Sequence, residues 1–117
     1  MRQVATLFRA TAPHNPATVE CSAKWWKEHI ELHPEMIGHH ALVQKVIEDP
    51  LAIYQSASHP NRNVFYRPSE LPPPFNRGYI RVIVEYERGW RGAVRGRVIT
   101  AFLVDRPAQA ERMLWPT

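Results

Sequence analysis

The chain has 117 residues, room for one ordinary domain but not for two separate cores. Apolar residues make up 44% and include four Trp, which argues against wholesale disorder, and no apolar run approaches a membrane span. The formal net charge is +4, and the single Cys21 excludes an internal disulfide or a cysteine-based zinc cluster.

In chain order, Val4 to Arg9 is β-prone and predicts a short edge strand. Pro13 and Pro16 break ladder and helix alike, so a loop is expected from Thr11 to Ala17, with Asn15 or Thr18 as the cap of a following helix. From Thr18 to His33 the pattern is helical: Val19, Ala23, Trp26 and Ile30 recur at i, i+4, i+7 and i+11. Beside that apolar stripe runs a second one of Trp25, His29 and His33. Pro34 ends the helix at His33. A second helix is expected from Pro34 or Glu35 to Glu48, with Met36, His40, Val43 and Ile47 on one face and Asp49-Pro50 as its stop.

After Pro50 the pattern changes. Leu51 to Ser56, Val64 to Arg67, Tyr79 to Tyr86 and Arg97 to Asp105 are rich in Val, Ile, Tyr and Phe and predict strands. In the third, Ile80, Val82, Val84 and Tyr86 alternate with Tyr79, Arg81, Ile83 and Glu85, which is a sheet with one apolar and one mixed face. A long hairpin loop is expected from Arg88 to Gly96, and the tail from Pro107 to Trp115 is expected to make a helical turn and dock its Trp. The expected fold is a single α+β domain over residues 1–117, with N-terminal helices packed on a four-stranded antiparallel sheet. Nothing in the sequence looks like a leader, so a cytoplasmic home without membrane attachment is expected.

Charge is unevenly distributed. Residues 1–57 carry five basic and six acidic side chains, a balance of −1; residues 58–117 carry ten and five, a balance of +5. All ten basic residues of the second half are Arg, whose planar fork suits phosphate oxygens. A solvated basic surface is the bland reading, and a phosphate-bearing partner the functional one.

Imidazole can exchange a proton near neutral pH, and cleavage of an RNA strand needs little more than a base, an acid and cations at the phosphate. His29 and His33 are therefore candidate acid and base; packing and a helix terminus are their structural alternatives. Two His at i and i+4 also permit zinc ligation, although His29-Ile-Glu-Leu-His33 lacks the metalloprotease placement of Glu and an evident third ligand. Arg62, Tyr66 and Arg67 lie on or just before a strand, where either Tyr66 or Arg67, but not both, faces the helices. Thr100, between Val98 and Phe102, is a candidate phosphate contact or a hydrogen-bonded filler. Trp90 among Arg88, Arg91, Arg95 and Arg97 combines a stacking ring with phosphate-binding cations in a Gly-rich loop.

Taken in order, Trp26-x-x-His29-Ile30-x-x-x-His33-Pro34-Glu35-Met36, Asp49-Pro50, Tyr66-Arg67, Val82-Ile83-Val84 and Thr100-Ala101-Phe102 resemble phage-associated nuclease-like domains of the barnase–EndoU–colicin–RelE superfamily. The resemblance runs from about Val4 to Trp115. It implies the same α+β, ribonuclease-toxin-like fold and a metal-independent endoribonuclease of toxin or phage type, without cofactor. RNA would be the partner, with room for a neutralising protein, and the oligomeric state is left open. Carried over, it points to His29 or His33 as acid/base, Arg67 as phosphate clamp and Thr100 as a further contact. Arg62, Tyr66, Trp90, Arg91, Arg95 and Arg97 are the expected substrate-binding residues. The rival readings are a non-catalytic RNA- or protein-binding module and a zinc-dependent hydrolase.

Overall fold

Period-two alternation governs the N-terminus. In the computed structural model, which describes residues 5–108 and 112–117, Phe8, Ala10 and Ala12 point inward from strand β1 (Thr6–Ala12), and Arg9 and Thr11 point outward. Strand β2 (Asn15–Ser22) returns antiparallel, with Val19 and Cys21 inward. Val4, the expected start of the first strand, lies outside the described residues.

Residues 18–22 were expected to be helical and are strand. Val19 belongs to two periods at once: with Ala23, Trp26 and Ile30 it fits a helix, and with Cys21 it fits a strand. β-Branched Thr18 and Val19 beside a paired neighbour favour the strand. Ser22, rather than Asn15 or Thr18, is the helix cap; its Oγ accepts the Trp25 N–H at 3.0 Å and starts helix α1 (Ala23–Glu28).

Two single 3-10 turns follow, Ile30–Leu32 and Pro34–Met36, where one helix was expected to run through to His33 and another to begin. Glu31 ties them to α1, accepting the Gly38 N–H at 3.0 Å and the Trp26 Nε1–H at 2.9 Å. Those bonds, the Gly38 one first, hold its carboxyl below the usual range. Gly38 has φ +79°, a left-handed turn that separates these turns from helix α2 (His40–Glu48).

The four strands of the second half are β3 (Ala52–Gln55), β4 (Arg62–Pro68), β5 (Tyr79–Arg88) and β6 (Val94–Val104). A seventh, β7 (Arg112–Trp115), stands where a helical turn was expected; residues 109–111 of that tail lie outside the description. The expected architecture is therefore overturned. One mixed sheet, ordered β1-β2-β6-β5-β4-β3-β7, dominates the fold, and the two α-helices among the described residues are short. The β2–β6 pair is parallel and brief (Val19 with Gly96, Glu20 with Arg97); the other pairs are antiparallel.

The first face of the sheet carries the core. Ile53, Phe65, Ile80, Val82, Val84, Val98 and Ala101 pack there against Trp26, Ile30, Met36, Val43 and Ile47. Each fully buried Ile or Val in this layer contributes roughly 2 kcal/mol. The second face carries the candidate site. No described helix is long and apolar enough to cross a membrane.

Candidate nucleic-acid interface on the second face of the sheet

Strand register decides which side chains meet. On the second face, Arg62 of β4, Glu85 of β5 and Arg97 of β6 form one transverse row. Val64, Ile83 and Thr100 form the next, and Tyr66, Arg81 and Phe102 the third. Rows two residues apart along a strand are separated by about 7 Å.

The first row is ionic. Glu85 accepts Arg62 Nε at 3.0 Å and Arg97 Nη2 at 2.9 Å, and its side chain is 9% exposed. Hydrogen bonds from Arg97 first, then Arg62, hold its carboxyl down at about 2. Arg97, half exposed, also places its guanidinium carbon 5.5 Å from the centre of the Trp25 ring. Trp25 is fixed by its own Nε1–H, which donates to Ile99 O at 3.1 Å, and His29 stacks on it with ring centres 3.7 Å apart. The row thus runs His29, Trp25, Arg97, Glu85, Arg62.

The third row is aromatic and cationic. His33 stacks on Phe102 at 5.0 Å, and the Arg81 guanidinium lies 5.9 Å from Phe102 and 5.8 Å from Tyr66. Tyr54 of β3 meets Tyr66 edge-on at 5.6 Å. Both imidazoles therefore line β6 on the side where the helical segment caps its edge; Glu35 Oε2 accepts the Leu103 N–H there. Their attachment points, Ile99 and Phe102, are about 10 Å apart along the strand.

Thr100 sits in the row between. Strict alternation would place it on one face with both Val98 and Phe102, but a bulge interrupts the strand: Val84 pairs with Val98 while Ile83 pairs with Thr100. Val98 goes to the core, and Thr100 and Phe102 turn to the second face. A bulge leaves no mark in apolar periodicity, so the sequence could not show it.

Arg67 is not in this site. It shares the first face with Phe65, where Nη1 donates to Asp49 O at 2.6 Å and Oδ2 at 3.1 Å, and Nε donates to Glu70 at 3.0 Å. It pins the end of α2 to β4, and the expected phosphate clamp is a structural tie. Tyr66 does face the site, but it is fully buried, and its hydroxyl accepts the Ala108 N–H at 3.2 Å as the chain leaving β6 passes over it. It cannot touch a substrate in this arrangement. Arg62, 26% exposed, acts through Glu85.

Trp90, Arg91 and Arg95 stand apart at the β5–β6 hairpin tip, which is shorter than the expected Arg88–Gly96 loop. Strands continue to Arg88 and resume at Val94, and Gly89 N–H donates to Ala93 O at 2.6 Å. Gly96 is a strand residue, not a mobile loop glycine.

The zinc reading loses its geometric basis. Helix α1 ends at Glu28, so His29 and His33 do not share a helical face, and among the described residues no three His, Cys, Asp or Glu side chains gather as a metal site. Cys21 borders a cleft of about 210 Å³ between β2 and β6, but burial pushes its thiol up to about 12 and leaves it a poor nucleophile. The residues that sequence reading did not single out are Glu85 and, as a support for His33, Phe102, whereas the Trp25–His29 contact follows the expected stripe. Alternation put Glu85 on the mixed face; only register put it between two arginines. Compared with family models, curated proteins and solved structures, the chain matches none.

Proposed function

We propose that the second face of the sheet binds RNA and cleaves it by attack of a 2′-hydroxyl on the adjacent phosphodiester. The observation that carries this reading is the placement of Thr100 between an ionic row that ends in Arg97 and an aromatic row, with one imidazole at the β6 end of each. His29, exposed on its Trp25 support, and His33, on Phe102, are the proton carriers. One takes the 2′-hydroxyl proton as that oxygen bonds to phosphorus; the other protonates the 5′-oxygen as its bond to phosphorus breaks. The products are a 2′,3′-cyclic phosphate and a 5′-hydroxyl. Arg97 replaces Arg67 as the phosphate contact and stabilises charge gathering on the phosphoryl oxygens, and Thr100 offers a hydroxyl beside them. This scheme requires no metal. A toxin-type nuclease of this kind would also need a neutralising protein in the cell that makes it.

The test is digestion of total RNA and a structured transfer RNA, in chelator, by the wild type and a His29→Ala/His33→Ala variant. Cutting with cyclic-phosphate ends by the wild type, reduced at least about 100-fold in the variant, is the expected result. Equal cutting by the variant sinks the assignment of roles.

A non-catalytic RNA- or protein-binding module is the second reading. It is favoured by one observation: Glu85 already occupies both Arg62 and Arg97. It predicts salt-sensitive binding with no turnover.

A further inference from the structure

The hairpin tip is built to hold an aromatic ring in water. Trp90 is 83% exposed, an unusual place for so large an apolar surface in a chain that buries Trp26 to 3%. The backbone turns sharply just after Trp90: Arg91 at φ +64° and Gly92 at φ +78° form two successive left-handed residues, a conformation costly for Arg. The turn sets the Arg91 guanidinium 4.5 Å from the Trp90 ring centre, covering one face and leaving the other to solvent. Arg88 and Arg95 flank the turn, both exposed. Beside it, on the second face, opens a cleft of about 530 Å³ lined in part by Arg95 and by the Arg9–Glu20 ion pair of β1 and β2.

We infer that Trp90 is a stacking platform for an unpaired nucleobase, with Arg91, Arg95 and Arg88 holding the phosphates on either side of it. The inference deepens the RNA reading of the second face and rests on it, and it names the substrate class: single-stranded RNA, or a loop with unpaired bases. A base within a duplex has both faces covered by its neighbours and cannot lie on an indole; a splayed base can. The tip begins four residues beyond the Glu85–Arg97 pair, about 13 Å along the strands, so the base held there lies outside the step being cut. Arginine over one face of the indole strengthens the platform, because it fixes the ring before the base arrives.

The experiment is fluorescence anisotropy with a 2′-O-methyl oligonucleotide, single-stranded and as its duplex, against wild type, Trp90→Ala and Trp90→Phe. A methylated 2′-oxygen cannot act as the attacking nucleophile, so binding is read without cleavage. Expected is a preference for the single strand that Trp90→Ala weakens about tenfold and Trp90→Phe largely restores, with duplex binding unchanged. Equal single-strand affinity in Trp90→Ala, an equal loss for the duplex, or binding of anionic phospholipid vesicles in place of the oligonucleotide would overturn the platform. The two readings can fail separately. A Trp90-dependent strand preference in a protein that never cuts RNA removes the nuclease and keeps the platform; cutting that ignores Trp90 does the reverse.

Discussion

Glu85 shows how one residue joins stability to the candidate site. Its carboxylate is enclosed on the second face and holds Arg97 and Arg62 in place. Its pKa is brought down from an ordinary 4.5 to about 2 by those two partners. A depressed carboxyl stabilises the fold fully above its unfolded value, and that contribution is lost as pH falls from 4.5 toward 2. Glu85→Gln should cost about 1–3 kcal/mol at pH 7, because two arginines lose a charged acceptor. Its denaturant midpoint should also depend less on pH than the wild type's across that acid window. Parallel pH profiles for the two proteins would show that Glu85 is not the titrating tie.

Between elements, the parallel β2–β6 contact is the join that the sequence did not announce, and Gly96 makes it close. A Cβ there would stand 2.9 Å from Val19 Cγ2 and 3.0 Å from Tyr86 Cε1, inside normal contact. Two strands can therefore approach over a residue without a side chain. Gly96→Ala should destabilise the protein by about 1–3 kcal/mol, with native secondary structure retained, as read by urea unfolding and circular dichroism. An unchanged midpoint would mean that β2 moves aside freely. That join also positions the cleft beside Trp25, so element packing reaches the site through Val19, Gly96 and Arg97.

At the scale of the molecule, the chain after β6 has to cross the sheet, because β7 pairs with β3 at the far side of β4 and β5. The crossing passes over Tyr66, whose hydroxyl accepts the Ala108 N–H. Ala108 thus lies over Tyr66 on the β4 side of the second face, whereas Arg97 and His29 on the β6 side are exposed. Tyr66→Phe should therefore lower stability by about 1 kcal/mol through a lost acceptor, while RNA binding and any cleavage keep wild-type rates. A cleavage defect at unchanged stability would instead put the Tyr66 hydroxyl in the chemistry.

Local pattern by itself determined the four strands after Pro50, the buried face of α2 and the gathering of arginines in the second half, because alternation, helical period and composition are properties of neighbours along the chain. It also determined that Tyr66 and Arg67 point to opposite faces. Tertiary structure decided the rest. Thr18 to Ser22 satisfied two periods, and pairing with β1 chose the strand. A bulge between β5 and β6 reversed Thr100 relative to Val98, and an unpaired extra residue is invisible in hydrophobicity. Arg67 was drawn to Asp49 and Glu70, whereas Arg97 found Glu85 and Trp25, and partners this far apart in sequence meet only when strand order and register are set.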